Sequence, residues 1–428
     1  MGELLIIGAG PGGYETAIEA AKRGLKVTVI NDGPLGGVCL NEGCIPTKTF
    51  CQFAGKEDFE KVTERKNAVV KQLRNGVAYL LKNPNITIVE GKASFKDSNT
   101  VAVGGSEYKA DNIIVATGSL PARLPILGAE SEMVLTSTDV LNLNVLPKSI
   151  CVIGGGVIGL EMASYLHGFG VDVTVLEYES QILPNFDAEV AKRLKMILIK
   201  QGLKIETDAR VKAIDEEGFV TYQKGENTND VLCEKVLMAV GRTPKVEGLN
   251  LETLNIVFSQ KGIIVDDNMQ TSVPHIYAIG DVTGRLMLAH VASFQGRRAL
   301  NHIQGKTDKI RFEYVPSAVF IKPELASVGM TESQVVEKGF DYSAVKIPFG
   351  AVGKAVAMGD TEGFCKMLVD KDSRKILGCF IVGPHASDLI QEVVTLMNLN
   401  VSVDDAADII HAHPTLSEII QIAIQQVK

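Results

Sequence analysis

The sequence lacks the features that would place it in a membrane or on a nucleic acid. It has no run of about 18 consecutive apolar residues, the length that a membrane-spanning helix needs. It has no long block of Lys and Arg, and its net charge is −8, which gives little support to nucleic-acid binding. The N-terminal residues lead directly into an apolar run, so we expect no signal or transit peptide.

Cysteine is also scarce. Seven cysteines in 428 residues are an odd number and a poor match to a secreted disulfide scaffold. The predicted location is therefore a reducing cytoplasm, where a disulfide is usually catalytic. Hydrophobic residues make up 46% and charged residues 22% of the chain, which is typical of a globular protein.

An internal repeat organises the chain. Residues 4–31 and 150–177 match at a constant offset of 146. Each copy has an apolar run, a glycine turn, a stretch with helical apolar spacing and a second apolar run, which predicts a βαβ unit. The turns carry the G-x-G-x-x-G fingerprint of dinucleotide-binding folds at Gly8, Gly10, Gly13, Gly154, Gly156 and Gly159. One fingerprint is a weak signal, but two in register predict an α/β fold with two Rossmann-like dinucleotide-binding domains.

The residue that binds the ribose differs between the copies. Glu177 lies 23 residues after Gly154, where an acid accepts hydrogen bonds from a ribose and repels the 2′-phosphate of NADP. Asn31 occupies the matching position of the first copy. An amide still accepts a hydrogen bond, but hydrogen bonds to a charged group are stronger by about 1 kcal/mol. Asp32 is adjacent, but strand alternation predicts that it points elsewhere.

The segment Gly36–Lys48 follows the first repeat and contains Cys39 and Cys44. Pro46 suits the first turn of a helix, which would place Cys44 at a helix N-terminus that favours the thiolate. The pair could also be two buried thiols or half of a metal site. Its position beside a dinucleotide fold favours the redox interpretation. The other cysteines carry no pattern and are expected to be structural: Cys51, Cys151, Cys233, Cys365 and Cys379.

The C-terminal segment contains His413 and, five residues on, Glu418. An imidazole oriented by a carboxylate is a general base. Alternatively, Thr415 and Glu418 have the spacing of a helix capping box, and a histidine before proline is an ordinary turn residue. The local pattern alone favours this second interpretation.

Together these motifs resemble the pyridine nucleotide–disulfide oxidoreductase family over essentially the whole chain. The resemblance is carried by Gly8–Gly13, Gly36–Lys48, Ala116–Gly118, Gly154–Glu161 with Glu177, Ala239–Arg242, Gly280–Asp281 and His411–Glu418. It implies FAD and NAD as cofactors and a homodimer. It also implies an FAD-binding domain at 1–148, an NAD-binding domain at 149–238, a return segment of the FAD-binding domain at 239–308 and an α+β dimerisation domain at 309–428.

The resemblance also implies catalytic roles. Cys39 would be the interchange thiol, and Cys44 would be the charge-transfer thiolate against the flavin. His413, from the partner subunit in this family, would deprotonate the substrate thiol and would be oriented by Glu418. The implied reaction is the oxidation of dihydrolipoamide with reduction of NAD⁺ through a Cys39–Cys44 disulfide. The implied partner is a lipoyl-bearing protein of a 2-oxo-acid dehydrogenase or glycine cleavage complex.

Further residues would contact the cofactors. Lys48 would lie near the flavin ring and pair with Glu161, and Asp281 would bind the ribityl chain. The other implied FAD contacts are Gly8, Gly10, Gly13, Asn31, Gly37, Ala93, Thr117, Gly118 and Ala289. The implied NAD contacts are Gly154, Gly156, Gly159, Glu177, Val211 and Gly241.

Some features depart from the family's pattern. They are Asn31 in place of a ribose-binding acid, Gln295 in place of an acid, a short stretch between residues 51 and 86, and a Gly350–Lys354 segment without the usual Asn and Arg. The alternatives are another disulfide reductase of this family with a different disulfide substrate, a flavin-binding structural subunit, and a metal site at the cysteines.

Overall fold

A computed structural model describes residues 2–427, which form two compact units. The first combines the chain up to Arg123 with Thr136–Asn144 and Val240–Ile310. The second combines Leu124–Leu135, Val145–Ala239 and the chain from Arg311 onwards. The second unit therefore holds both the second βαβ copy and the C-terminal segment. The predicted four-part division of the chain stays a prediction.

The helices are α1 (Pro11–Lys22), α2 (Gly37–Glu42), α3 (Cys44–Phe53), α4 (Phe59–Leu80), α5 (Ser137–Leu141), α6 (Val157–Gly168), α7 (Ala188–Lys200), α8 (Ala289–Ile303), α9 (Glu332–Glu337), α10 (Gly353–Met358), α11 (Ala386–Asn398), α12 (Val403–Ala407) and α13 (Glu418–Gln425). Short 3-10 helices lie at Leu251–Leu254, Gly280–Thr283, Phe312–Tyr314 and Phe349–Ala351. No helix within residues 2–427 combines the length and the apolarity that crossing a membrane requires.

The strands are β1 (Glu3–Ile7), β2 (Lys26–Asn31), β3 (Ile86–Glu90), β4 (Ser94–Asp97), β5 (Thr100–Val103), β6 (Ser106–Lys109), β7 (Asn112–Val115), β8 (Ser119–Pro121), β9 (Val134–Leu135), β10 (Ser149–Ile153), β11 (Asp172–Leu176), β12 (Lys204–Glu206), β13 (Arg210–Ile214), β14 (Phe219–Lys224), β15 (Asn227–Leu232), β16 (Lys235–Met238), β17 (Arg242–Pro244), β18 (Phe258–Ser259), β19 (Gly262–Ile263), β20 (Ile276–Ala278), β21 (Ser317–Val319), β22 (Glu324–Gly329), β23 (Tyr342–Pro348), β24 (Phe364–Asp370) and β25 (Ile376–Gly383).

The first unit is built on a parallel sheet with the strand order β20-β7-β1-β2-β3. Residues 4–7 of β1 are all buried, the pattern of a parallel strand covered on both faces. β1 pairs with β2 from Glu3↔Lys26 to Ile7↔Ile30, with α1 between them in the chain. The predicted first βαβ unit is confirmed.

The second unit contains another parallel sheet, with the order β12-β11-β10-β16-β9. β10 pairs with β11 from Ser149↔Asp172 to Ile153↔Leu176, and α6 connects them. The paired residues of the second copy are those of the first copy with 146 added to each residue number. The two βαβ units are therefore equivalent in pairing as well as in sequence, and the predicted α/β fold is confirmed.

The chain from Arg311 onwards forms an antiparallel sheet with the order β21-β22-β25-β24-β23. α11 packs on β22 and β25, and α13 packs on β23 and β24. Every residue of β24 and β25 is buried, so this sheet is the centre of a separate hydrophobic core. The predicted α+β character of the C-terminal segment is confirmed.

β24 also carries a buried charged side chain, on the face of the strand opposite to the core residues Cys365 and Met367. Lys366 is 2% exposed, and its ammonium lies 2.9 Å from Asp187, 3.0 Å from Glu189 and 2.7 Å from Glu332. Burial alone would lower the pKa of Lys366, but the hydrogen bonds to the three carboxylates raise it above its ordinary value. A buried ammonium is tolerated here because each of its N–H donors has an acceptor. The sequence pattern gave no sign of this network.

The first glycine turn requires glycine for steric reasons. Gly8 has a φ of +110°, in the left-handed region that favours glycine. A Cβ on Gly13 would lie 1.9 Å from the carbonyl oxygen of Gly8, so strand and helix meet there without space for a side chain. A Cβ on Gly10, by contrast, would meet nothing within 4 Å.

Gly13→Ala is expected to lower the free energy of unfolding of the protein without cofactors by about 2 kcal/mol or more, because the methyl group must displace main-chain atoms. Gly10→Ala, in the same turn, is expected to cost less than about 1 kcal/mol. Urea unfolding followed by circular dichroism measures both. Equal losses in the two variants would contradict the steric explanation.

Lys366→Met is expected to destabilise the protein by about 3–5 kcal/mol, because it leaves the buried carboxylate of Asp187 without its cation. Lys346→Met is the matched control, since Lys346 also contacts Glu189 but its side chain is 49% exposed. It should cost about 1 kcal/mol or less. Denaturant midpoints give the comparison, and similar losses for the two lysines would be inconsistent with a buried network.

Candidate active site

The cysteine segment begins with a close contact to the first glycine turn. The N–H of Gly36 donates to the carbonyl of Ala9 at 2.9 Å. A Cβ on Gly37 would lie 2.6 Å from the Cα of Gly10, and Gly37 has a φ of +61°. α2 can therefore begin against the turn only with glycine at this position, and this contact fixes the place of Cys39 in the helix.

The two cysteines lie on consecutive helices and are hydrogen-bonded to each other. Cys39 is in α2 and Cys44 is the first residue of α3, with Pro46 in its first turn as predicted. The pKa of Cys39 is raised because its thiol is hydrogen-bonded to Cys44 and because it is half-buried, while the charge of Lys48 acts in the opposite direction. The N-terminus of α3 stabilises an anion at its first residue, Cys44. Both effects favour Cys44 over Cys39 as the place for a negative charge on the reduced pair.

A second cluster surrounds Asp281, the predicted ribityl-binding residue. Ser119 Oγ donates to Asp281 Oδ2 at 2.5 Å. Arg242 donates from Nε to Ser119 Oγ at 2.7 Å and from Nη2 to the Ser119 carbonyl at 2.9 Å. Its guanidinium lies 3.9 Å from Asp281, and the pairing of β8 with β17 holds the arrangement together. We call Ser119, Arg242 and Asp281 the Asp281 cluster.

The Asp281 cluster also acts on the cysteine pair. Burial lowers the pKa of Arg242, and the charges of Asp281, Cys44 and Glu42 oppose this effect. Arg242 therefore places a partly buried positive charge close enough to Cys44 for the two groups to interact. The sequence motif includes Arg242 but gives it no role. Nothing in the local pattern marks Ser119, because its partners are distant in the chain.

Both glycine turns leave room for a ligand. A Cβ on Gly10 or on Gly156 would meet nothing within 4 Å, and α1 and α6 begin directly after these residues. Open space at a helix N-terminus is what a pyrophosphate group needs. The residues therefore fit a dinucleotide at each turn.

Glu177, the acid of the second copy, is hydrogen-bonded to the glycine turn of that copy. Glu177 Oε2 accepts the N–H of Gly155 at 2.6 Å, and Oε1 accepts the N–H of Glu179 at 2.7 Å. Each carboxylate oxygen has a further lone pair for a ribose hydroxyl. This position supports NAD rather than NADP as the ligand of the second turn.

The other predicted cofactor contacts are divided between the two units. The first unit holds Ala93, Thr117, Gly118, Gly241, Asp281 and Ala289, and the second holds Val211. Thr117 Oγ1 donates to the carbonyl of Lys245 at 2.6 Å, and Gly118 has a φ of +74°. Their contacts with cofactors stay predictions.

Lys48 and Glu161 belong to different units, and their pairing stays a prediction. Lys48 lies four residues after Cys44 on α3. Glu161 is buried in α6, where Oε1 accepts the N–H of Phe320 at 2.9 Å. The glutamate thus has a defined place within the second unit.

Of the departures from the family pattern, Gln295 has a clear structural role. Gln295 is buried in α8, and its Oε1 accepts the N–H of Gly280 at 2.6 Å, so the amide supports the turn that presents Asp281. The segment 350–354 covers the end of a 3-10 helix and the start of α10. Nothing in the structure explains the missing Asn and Arg of that segment.

The predicted base and its carboxylate partner are in contact. His413 Nδ1 lies 2.8 Å from Glu418 Oε1, and Glu418 Oε2 accepts the N–H of Thr415 at 2.8 Å. These hydrogen bonds lower the pKa of Glu418, the bond with His413 most strongly. A carboxylate at Nδ1 favours the tautomer with the proton there, which leaves the lone pair on Nε2. The His413 side chain is 77% exposed, so a ligand can approach it.

A neighbouring histidine anchors this segment. His411 Nε2 lies 2.7 Å from Glu392 Oε1, and Nδ1 lies 3.1 Å from the carbonyl of Ile409. Its side chain is 7% exposed, unlike that of His413. The contact fastens the segment to α11, and no pattern in the sequence pointed to Glu392.

Four of the remaining cysteines form two close pairs. The sulfurs of Cys365 and Cys379 are 3.7 Å apart on the adjacent strands β24 and β25, and the thiols of Cys151 and Cys233 are hydrogen-bonded. All four are buried. Within the described part of the chain, no group of three or more His, Cys, Asp or Glu side chains is placed to hold a metal ion.

Known proteins match this architecture. Residues 2–296 match the family described as pyridine nucleotide-disulphide oxidoreductase, and residues 315–424 match the dimerisation domain of that family. The cofactors of the family are FAD and NAD(H), which agree with the two turns. The family match also confirms the predicted redox-enzyme class and the predicted dimerisation domain.

Individual relatives cover nearly the whole chain. The chain is 42% identical to the dihydrolipoyl dehydrogenase of Geobacillus stearothermophilus, over 97% of this chain and 94% of that protein. It is 38% identical to the dihydrolipoyl dehydrogenase of Chlamydia muridarum, over 97% and 95%. The HOCl-induced flavoprotein disulfide reductase RclA from Escherichia coli has a similar structure, with a TM-score of 0.92, 34% identity and 100% of both chains covered. The chain belongs to the pyridine nucleotide-disulphide oxidoreductase family.

Proposed function

We propose that the protein oxidises dihydrolipoamide to lipoamide and reduces NAD⁺ to NADH, with FAD as its bound cofactor. The observation that carries the proposal is the hydrogen-bonded Cys39–Cys44 dithiol, fixed against a dinucleotide turn. The dihydrolipoyl dehydrogenases that match nearly the full chain support the choice of substrate.

The two cysteines divide the thiol chemistry between them. A lipoyl thiolate attacks Sγ of Cys39 in the oxidised pair, the Cys39–Cys44 bond breaks, and Cys44 leaves as a thiolate. The second lipoyl thiolate attacks the mixed disulfide, so that Cys39 leaves and lipoamide is released. The helix N-terminus at Cys44 and the charge of Arg242 stabilise the Cys44 thiolate that leaves in the first step. Because Cys44 is the better leaving group, the attack occurs at Cys39.

His413 supplies the base for the first step. Its Nε2 accepts the proton of a lipoyl thiol, and the Glu418 carboxylate stabilises the imidazolium that results. In the proposed homodimer, the His413 of one protomer serves the cysteine pair of the other. The exposed position of His413 supports this assignment.

The cofactors connect the dithiol to NAD⁺. Bound FAD would supply the two-electron transfer between the dithiol and NAD⁺. The chain's own part is to hold the ligands: the turns at Gly8–Gly13 and Gly154–Gly159 for the pyrophosphates, Asp281 for the ribityl chain and Glu177 for the NAD ribose. We place the enzyme in the cytoplasm, acting on a lipoyl-bearing protein of a 2-oxo-acid dehydrogenase or glycine cleavage complex.

With dihydrolipoamide and NAD⁺, the purified protein is expected to form NADH at a rate that falls at least about 1,000-fold in Cys44→Ser and in Cys39→Ser, because neither variant can form the disulfide. Cys51→Ser is the matched control on the same helix as Cys44 and should keep the wild-type rate. Absorbance at the NADH band follows the reaction.

NADP⁺ in place of NAD⁺ should give a much lower kcat/KM, because Glu177 repels the 2′-phosphate. If the flavin-containing protein does not oxidise dihydrolipoamide but reduces another disulfide with NADH, that disulfide replaces dihydrolipoamide as the proposed substrate. Full activity in either serine variant would contradict the disulfide mechanism.

The His413–Glu418 pair can be tested with one variant of each residue. Glu418 stays ionised below the usual range of a glutamate, since hydrogen bonds lower its pKa, so it is a carboxylate under the conditions of the assay. His413→Gln should lower kcat at least about 100-fold, because the base is lost. Glu418→Gln should lower kcat less, because the imidazole remains and loses only the carboxylate that orients it. An unchanged kcat of NADH formation in Glu418→Gln would argue against this pair.

A further inference from the structure

The two βαβ units provide a comparison within one chain. Ile7 pairs with Ile30 in the first unit, and Ile153 pairs with Leu176 in the second. The next residue along β2 is Asn31, and the next residue after β11 is Glu177. Both are buried, at 9% and 7% exposed. The same backbone frame therefore presents an amide at one dinucleotide turn and a carboxylate at the other.

One contact is shared by the two side chains. The N–H of Ala9 donates to Asn31 Oδ1 at 3.1 Å, and the N–H of Gly155 donates to Glu177 Oε2 at 2.6 Å. Ala9 and Gly155 occupy the same place between the first two glycines of each turn. In both copies one oxygen of the side chain is thus used to hold the turn.

The second polar atom is used in opposite ways. Asn31 Nδ2 donates to the carbonyl oxygen of Gly33, whereas Glu177 Oε1 accepts the N–H of Glu179. The reverse orientation of the Asn31 amide would set N–H against the N–H of Ala9 and oxygen against the carbonyl of Gly33. The surroundings therefore fix the amide. Gly33 has a φ of +142°, a conformation that favours glycine.

The neighbouring acid does not take the place of a carboxylate here. Asp32 Oδ2 lies 3.6 Å from the ammonium of Lys245, and its side chain is partly exposed. The charge of Asp32 is thus balanced by Lys245, as the predicted strand alternation requires. Asn31 is left as the buried polar side chain at the end of β2.

We propose that Asn31 sets the affinity for the adenosine half of FAD, by holding the ribose with a neutral amide that has one acceptor oxygen. A ribose offers two hydroxyl donors, and a carboxylate offers two charged oxygens to receive them. The inference rests on FAD as the ligand of the first turn. The expected consequence is that FAD binds about fivefold less tightly than it would to a carboxylate at this position.

The test measures binding of FAD to the protein from which flavin has been removed, by titration and quenching of flavin fluorescence. Asn31→Glu is expected to lower the Kd of FAD about fivefold. FMN carries the flavin and lacks the adenosine, so its Kd should be the same in both proteins. An unchanged or weaker Kd for FAD in a variant that binds FMN normally would overturn the proposal. Equal shifts for FAD and FMN would also overturn it.

The Gly33 carbonyl opposes a carboxylate in Asn31→Glu, so a second variant removes the amide instead. Asn31→Ala is expected to raise the Kd of FAD and to leave the Kd of FMN unchanged, because the ribose loses its acceptor. If Asn31→Ala binds both FMN and FAD as the wild type does, the proposal is wrong.

Glu177→Gln is the matched control at the second turn. It should weaken NADH binding and leave the Kd of FAD unchanged. A change in FAD binding instead would show that the ligands are assigned to the wrong turns, which overturns the proposal. All of these measurements are of cofactor binding and do not involve dihydrolipoamide. They therefore remain valid even if dihydrolipoamide is not the substrate.

Discussion

The contact between Gly37 and the first glycine turn is the constraint on which the rest of the active site depends. Because no Cβ fits beside Gly10, the helix with Cys39 begins directly on the backbone of the turn. The next helix then starts at Cys44, where its dipole acts on the sulfur. The position of the dithiol relative to the turn is thus set by main-chain packing and does not depend on adaptable side chains.

The two βαβ copies show which parts of a dinucleotide fold are rigid and which can vary. Strand register and the φ of Gly8 and Gly154 are the same in both, since any change there brings a Cβ or a carbonyl into collision. The side chain that follows the second strand of each unit is free of this constraint. Asn31 and Glu177 accept equivalent backbone N–H groups, those of Ala9 and Gly155, with different charge, so the charge beside the turn differs while the frame stays the same.

Two cations, the buried Lys366 and the partly buried Arg242, are placed by contacts between distant segments. Lys366 is surrounded by Asp187 and Glu189 at the start of α7 and by Glu332 of α9. Arg242 is held by Ser119 and Asp281. Removing such charges from water is unfavourable unless acceptors are complete. Each cluster therefore requires its segments to be correctly folded, and the one at Arg242 also supplies charge near Cys44.

The sequence by itself determined the two βαβ units, the α+β segment and the position of Cys44 at a helix start. These features depend on local rules: apolar periodicity, glycine sterics and a proline in a first helical turn. It left open whether Glu418 orients His413 as a base or only caps a helix, and the fold brings the two side chains to 2.8 Å. The Asp281 cluster, the Lys366 network and the two buried cysteine pairs were decided by tertiary structure alone. Their members are far apart in the chain, and no local pattern records which distant segments will meet.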